Sequence, residues 1–266
     1  MGKSAQVQEP SGAQMHNSTP ANLQLTGVPN QCRIAMLQLC TTAHEESMKI
    51  AAITINKGGV GKTMLSRSLA TAASASGLLV LILDMDTQQN STNWRRRRPE
   101  NLSMPIVQFT TENDLEETLK RARDAGCDLV LIDTPPGRST EAPAAVEAAD
   151  VMLIPCTSEI ECFEGLAKSA RLARAIETPA YVVPNFVRPG SRSEEEAIRG
   201  VVLAQKIPCA PVTIHEYTVH REGSLQGKTA QELQPDSKAA KEINELWKWL
   251  CTELHMSTSA PVHKVA

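Results

Sequence analysis

From Lys49 onward, short runs of apolar and β-branched residues alternate with longer stretches whose apolar positions recur three and four residues apart. The runs at 50–55, 78–83, 106–109, 129–132, 151–154, 180–183 and 211–214 predict strands. Several are apolar at every position, the pattern of strands covered on both faces. Helical periodicity lies near 63–76, 112–125, 141–148, 162–177 and 193–205. A last helix runs from about Ser237 to Leu254, with Ala240, Ile243, Leu246, Trp247 and Leu250 along one face. This alternation predicts the α/β class: a doubly wound, mostly parallel sheet with helices on both faces.

The first 47 residues break the pattern. They are rich in Gln, Ser, Thr, Asn, Gly and Pro, and their charges are confined to Lys3, Glu9, Arg33, Glu45 and Glu46. Their one apolar run, 34–39, is too brief to make a domain. They read as a polar, mobile extension, and Met48 opens a strand-first domain. The expected organisation is an extension over 1–47, one domain over 48–254 and a flexible tail over 255–266.

Composition narrows the function classes. Of 266 residues, 41% are hydrophobic and 21% charged, which is globular composition. The formal net charge is −3, so no global basic field attracts nucleic acid and any such binding needs a local patch. Aromatics are only 3%, which argues against a base-stacking reader of single strands. The seven cysteines are scattered and form no CxxC, so they read as reduced thiols of a cytoplasmic protein. No stretch approaches the ~20 apolar residues of a membrane span.

The strongest chemical signal is Asn56-Lys-Gly-Gly-Val-Gly-Lys-Thr63, placed directly after the first apolar strand and directly before a helix. That is the context of a phosphate-binding loop. Gly58, Gly59 and Gly61 let the backbone N–H groups point inward at phosphate oxygens, and the following helix adds its positive end. Lys62 would reach the β and γ phosphates, and the Thr63 hydroxyl would hold Mg²⁺. The loop departs from GxxxxGK[ST] at its first position, where Asn56 replaces glycine, and it carries a second lysine, Lys57. A second signal, Leu129-Val-Leu-Ile-Asp133-Thr-Pro-Pro-Gly137, is an apolar strand ending in Asp133, the Walker B pattern that orders Mg²⁺. A third apolar strand delivers Asp84 and Asp86 to its C-terminal end, where doubly wound sheets bind ligands.

The Lys57-Gly-Gly-x-Gly-Lys-Thr63 arrangement resembles the deviant Walker A loop of the ParA/MinD family of dimerising ATPases. The motif alone also fits nitrogenase iron protein, arsenite-pump ATPases, dethiobiotin synthetase and cluster-assembly ATPases. The stretch Asp84-Met-Asp86-Thr-Gln-Gln-Asn90…Trp94 is similar to the ParA "DxDPQxN…W" segment, with Thr87 in place of proline. Gly227-Lys-Thr…Pro235-Asp-Ser-Lys-Ala-Ala-Lys-Glu-Ile243 is similar to the ParA C-terminus. The resemblance spans Met48 to about Leu254.

It implies a P-loop domain that takes ATP on Gly58, Gly59, Val60, Gly61, Lys62, Thr63 and Met64, with Mg²⁺ at Thr63, Asp84 and Asp133. Lys57 would reach across a homodimer to the partner's nucleotide, Lys62 would act with it, and Asp86 would position the attacking water. Asn185 looks like the family's adenine-binding asparagine, with an ordinary loop asparagine as the alternative. The implied activity is weak ATP hydrolysis for plasmid or chromosome partition, stimulated by a centromere-binding ParB-like adaptor. The ATP dimer would bind DNA non-specifically and be nucleoid-associated. A MinD-like or conjugation-associated switch on protein or membrane partners, and a metabolic ligase or iron–sulfur reductase, are the competing classes.

Three features stay open at the level of sequence. Arg95–Arg98 reads as a solvated charge run, with contact to DNA phosphates or to a dimer partner as alternatives. Six basic residues between 188 and 228 are matched by five acidic ones, so no patch is evident there. Trp247 and Trp249 read as packing against the sheet rather than as a membrane-targeting face, so no stable membrane association is expected.

Overall fold

The computed structural model describes residues 48–137 and 140–256. The polar extension and all but the first two residues of the expected tail lie outside the described residues.

Among the described residues, seven strands form one sheet in the order β3-β2-β4-β1-β5-β6-β7. They are β1 (Lys49–Ile53), β2 (Val80–Asp84), β3 (Ile106–Phe109), β4 (Leu129–Asp133), β5 (Val151–Cys156), β6 (Ala180–Val187) and β7 (Ile214–His215). Every pairing is parallel. Successive side chains of a strand point to opposite faces, so each strand feeds two cores. Ile50, Ala52, Leu81, Leu83, Val130, Ile132, Met152 and Ile154 face one core. Ala51, Ile53, Val80, Ile82, Leu129, Leu131, Val151 and Leu153 face the other. Burial on both faces is why these strands read as unbroken apolar runs.

Nine helices lie among the described residues: α1 (Lys62–Ala75), α2 (Asn90–Arg96), α3 (Leu115–Asp124), α4 (Glu141–Glu147), α5 (Ile160–Ile176), α6 (Arg192–Ala204), α7 (Thr218–Leu225), α8 (Ala230–Leu233) and α9 (Lys238–Glu253). The first core is covered by α3, α4, α5 and α6, through residues such as Leu119, Val146, Leu166 and Ile198. The second is covered by α1 and α9, through Leu65, Leu69, Ile243, Leu246, Trp247 and Leu250. The α1 helix is rich in Ala and Leu and stops at Gly77 (φ 91°), whose left-handed backbone lets its N–H and that of Leu78 bond back to Ser74 and Ala73. In α9, Ser237 Oγ accepts from Ala240 N at 3.2 Å, which caps the start of the helix.

The predicted fold class is the one observed, and six helices lie where the periodicity places them. Three have no counterpart in the sequence pattern. Helix α2 is seven residues long and buries only Ser91 and Trp94, too few positions to show a period. Helices α7 and α8 are eight and four residues long and flank the glycine at 227. The strand expected at 211–214 is reduced to Ile214–His215 at the sheet edge, where its register with β6 is irregular between Asn185 and Val187. Trp247 does bury in the second core, but its Nε1 donates to Ser76 Oγ at 3.1 Å, just past α1. Trp249 meets Tyr181 of β6 edge-on, with ring centroids 5.1 Å apart.

Candidate functional site

Strand β1 lies between β4 and β5, and the chain leaves β1 towards β2 on one side while β5 and β6 build the other. The crevice at the C-terminal ends of these strands is where such sheets bind ligands, and the glycine loop occupies it. Gly61 begins α1 with φ 88°, and a Cβ there would sit 2.3 Å from Asn185 Nδ2 and 2.8 Å from the Phe186 ring. Only glycine fits. Gly58 and Gly59 are exposed at the crest of the loop, and Val60 is buried beneath them. Lys62 folds back over its own loop, its Nζ donating to Lys57 O at 2.9 Å and Ile55 O at 3.5 Å. Burial lowers the Lys62 pKa, against the opposing pull of Asp133 and Asp86.

The carboxylates converge from two neighbouring strands. Asp84 of β2 and Asp133 of β4 are register partners at the sheet's C-terminal edge, and both are fully buried. Asp133 Oδ1 accepts from Thr63 Oγ1 at 3.3 Å, and Oδ2 accepts from Ser91 Oγ at 3.0 Å. Burial, reinforced by the Asp84 charge, raises the Asp133 pKa to about 6. Burial also raises Asp84, whose Oδ2 accepts from Thr92 N at 2.9 Å and Thr92 Oγ1 at 3.1 Å. Asp84 thus ties down the start of α2. Asp86 is nearly buried, and its Oδ1 accepts from Gln88 N at 2.9 Å.

On the β5–β6 side the crevice opens into a cleft of about 540 Å³, lined by Gly59, Met64, Phe186, Arg188, Tyr217 and His220 among others. Lys57 stands at this side, with Nζ 3.7 Å from Glu159 and side-chain exposures of 31% and 58%. Asn185 of β6 is buried; its Nδ2 donates to Val60 O at 2.7 Å, while its Oδ1 has no hydrogen-bond partner among the described residues. His220 is buried, and neither ring nitrogen has a hydrogen-bond partner among the described residues.

All of the site residues expected from sequence therefore gather at one end of the sheet. Sequence reasoning missed Ser91, Arg67 and Phe186. Ser91 sits in a polar stretch and Arg67 in an apolar helix, and neither belongs to a pattern that marks a site. Arg67 is buried in α1, where desolvation lowers its pKa to about 10 in spite of Asp133 and Asp84. The arginine run divides. Arg96 and Arg97 are exposed, but Arg98 is buried and corrects the solvated reading at that position. It pairs with Glu232 at 2.6 Å, donates to Gly227 O, and lies over the Trp94 ring, 4.4 Å from its centroid. Cys156 and Cys162, unpaired by any sequence motif, lie 3.5 Å apart as buried free thiols. Among the described residues, no cluster of three or more His, Cys, Asp or Glu side chains is arranged for a metal, and no helix is long and apolar enough to cross a membrane.

A glycine loop closing the central parallel strand, a helix rising from it, and a carboxylate ending the adjacent strand define a P-loop nucleotide-binding protein. The chain belongs to the CobQ/CobB/MinD/ParA nucleotide-binding family, whose sequence model matches residues 51–220. It is a ParA/MinD-type ATPase. It is 29% identical over 211 residues to the maintenance of carboxysome distribution protein A of Gloeobacter kilaueensis, covering 75% of this chain and 96% of that protein. It is 30% identical over 196 residues to the chromosome partitioning protein ParA of Caulobacter vibrioides, covering 59% and 69% respectively. Among solved structures, the fold matches a Cyanothece McdA–ATP complex with a TM-score of 0.63 at 19% identity, over 80% of this chain and 98% of that one. It also matches MinD of Pyrococcus horikoshii with Mg-ADP, with a TM-score of 0.59 at 22% identity, over 76% and 96%.

Proposed function

We propose that this ATPase serves plasmid or chromosome partition: its ATP-bound form is a homodimer that binds duplex DNA without sequence preference. The contrast between the two loop lysines carries the reading. Lys62 is turned in over its own loop, whereas the half-exposed Lys57 pairs with Glu159, an exposed residue of the cleft wall. Exposed pairs are worth about 0–1 kcal/mol, so Lys57 can leave Glu159 for a phosphate presented by a second copy.

The residues present fit ATP and Mg²⁺. Asn185 Oδ1, buried and unpartnered, would accept from the exocyclic amine of adenine. Thr63 and Asp133 offer hard oxygens side by side, with Asp84 as support, and Mg²⁺ uses one or two carboxylates together with phosphate oxygens. When bound, the ion neutralises phosphate charge. Gly58, Gly59, Val60, Gly61 and Met64 shape the loop around the phosphates. Lys57 and Lys62 donate to the oxygens that gain charge, and Asp86 orients a water for in-line attack. A centromere-binding ParB-like adaptor accelerates a slow basal hydrolysis and releases the dimer from the nucleoid. The nearly full-length match to a carboxysome distribution protein supports a second reading, a positioning ATPase whose partner is a protein assembly.

The test is binding to non-specific duplex DNA with ATP, ADP or no nucleotide, at two salt concentrations. Binding with ATP alone, fading with salt as counterion release demands, is the expected result. Lys62→Ala abolishes it. Asp86→Ala keeps ATP and stays on DNA, and fast turnover by that variant would mean that Asp86 does not orient the water. A protein that dimerises on ATP yet never binds DNA belongs to the second reading.

A further inference from the structure

We infer that Ser91 is a positioning residue for the Asp133 carboxylate, and that Arg67 fixes the direction in which the Ser91 hydroxyl points. The inference rests on the Mg²⁺–ATP reading above and deepens it.

Ser91 Oγ donates to Asp133 Oδ2 at 3.0 Å, and Arg67 Nε donates to the same Oγ at 3.3 Å. A hydroxyl carries one proton and two lone pairs, and a guanidinium only donates. With an Arg67 N–H on one lone pair, the Ser91 proton cannot point at Arg67. Asp133 is the acceptor it meets. Ser91 and Asp133 have no solvent exposure, so water does not compete for either. The other carboxylate oxygen accepts from Thr63 Oγ1. Two hydroxyls thus set the plane of Asp133, one from the start of α1 and one from α2. Thr63 is itself assigned to the metal, which leaves Ser91 as the hydroxyl whose sole task is the carboxylate.

Arg67 is braced on its other side. Its Nη1 donates to Ser224 Oγ of α7 at 3.2 Å, and its Cζ lies 5.4 Å from the centroid of the Trp94 ring. Two serine hydroxyls and an aromatic ring thus surround this buried cation. It supports a group aimed at a carboxylate rather than pairing with the carboxylate directly. Support of this outer-shell kind orients metal ligands, and its loss typically costs about 10–100-fold in metal affinity. The chain Asp133–Ser91–Arg67–Ser224 also links the nucleotide site to α7, on the far wall of the cleft.

The experiment is a Mg²⁺ titration of nucleotide binding by the full-length chain, using a fluorescent non-hydrolysable ATP analogue. Ser91→Ala raises the half-saturating Mg²⁺ about tenfold or more and leaves analogue affinity in EDTA unchanged. Ser91→Thr, which restores the hydroxyl, returns the midpoint towards wild type, and Arg67→Gln shifts it in the same direction as Ser91→Ala. Melting curves without Mg²⁺ separate a folding defect from a binding one, since a purely structural Ser91 would move the melting temperature and not the Mg²⁺ midpoint. A folded Ser91→Ala protein with the wild-type midpoint overturns the inference. If Ser91→Ala does not fold, an unchanged midpoint in Arg67→Gln overturns it. Wild-type protein that binds the analogue without regard to Mg²⁺ defeats the metal reading itself, a distinguishable failure.

Discussion

The two flanks of the phosphate loop are built differently. On the β2–β4 side, charged groups are buried and held by named partners: Asp84 by Thr92, Asp133 by Thr63 and Ser91, and Arg98 by Glu232. On the β5–β6 side, the charged pairs stand nearer to solvent: Lys57 with Glu159, Arg221 with Glu216, and the exposed Arg188 with a half-buried Glu194. Burial decides what each pair is worth. A buried pair that loses one member leaves an uncompensated charge in low dielectric, whereas an exposed pair exchanges its partner for water at little cost. One flank is thus fixed before any ligand arrives, and the other can rearrange when something docks.

The sharpest way to break this comparison is Arg98→Ala. The side chains of Arg98 and Glu232 are 0% and 13% exposed, so the variant should lose about 3–5 kcal/mol of stability, read by chemical denaturation. Next is Gly227→Ala, where a Cβ would lie 2.5 Å from the Arg97 carbonyl on a backbone with φ +67°. The left-handed backbone alone costs about 1–2 kcal/mol, and the overlap adds to it, so a clear fall in melting temperature is expected.

His220, on the cleft wall, sharpens the comparison through pH. Burial depresses its pKa below the ordinary histidine value. The unfolded chain therefore takes up the proton first, and stability is lost as pH falls below about 6.5. His220→Leu should remove that component of the pH dependence between about pH 7 and 5 in melting experiments. The smallest effect is expected for Glu159→Gln, which should change stability by less than about 1 kcal/mol. A large destabilisation there would mean that the open flank is not open.

Legibility in the sequence follows the same division. The glycine loop, Asp133 and the sheet are readable because each is a local pattern: an apolar run, a fixed spacing, a carboxylate at a run's end. Arg98 misleads because a run of four arginines looks solvated, and nothing local says that Trp94, Gly227 and Glu232 converge on the last of them. The pairing joins residues 134 positions apart. Ser91 is unreadable for a related reason. One serine in a polar stretch acquires meaning only when β4 and β2 lie side by side.

By itself, then, the sequence determined the parallel α/β fold, the phosphate loop and the carboxylates at the strand ends, since strand burial and glycine backbone requirements are properties of neighbouring residues. The tertiary structure alone decided which charges are buried and which stand nearer to solvent. It turned Lys62 inward and left Lys57 half-exposed beside Glu159, and it placed Arg67 behind Ser91. Desolvation and hydrogen-bond direction depend on what packs around a group, and the chain brings those surroundings from distant positions.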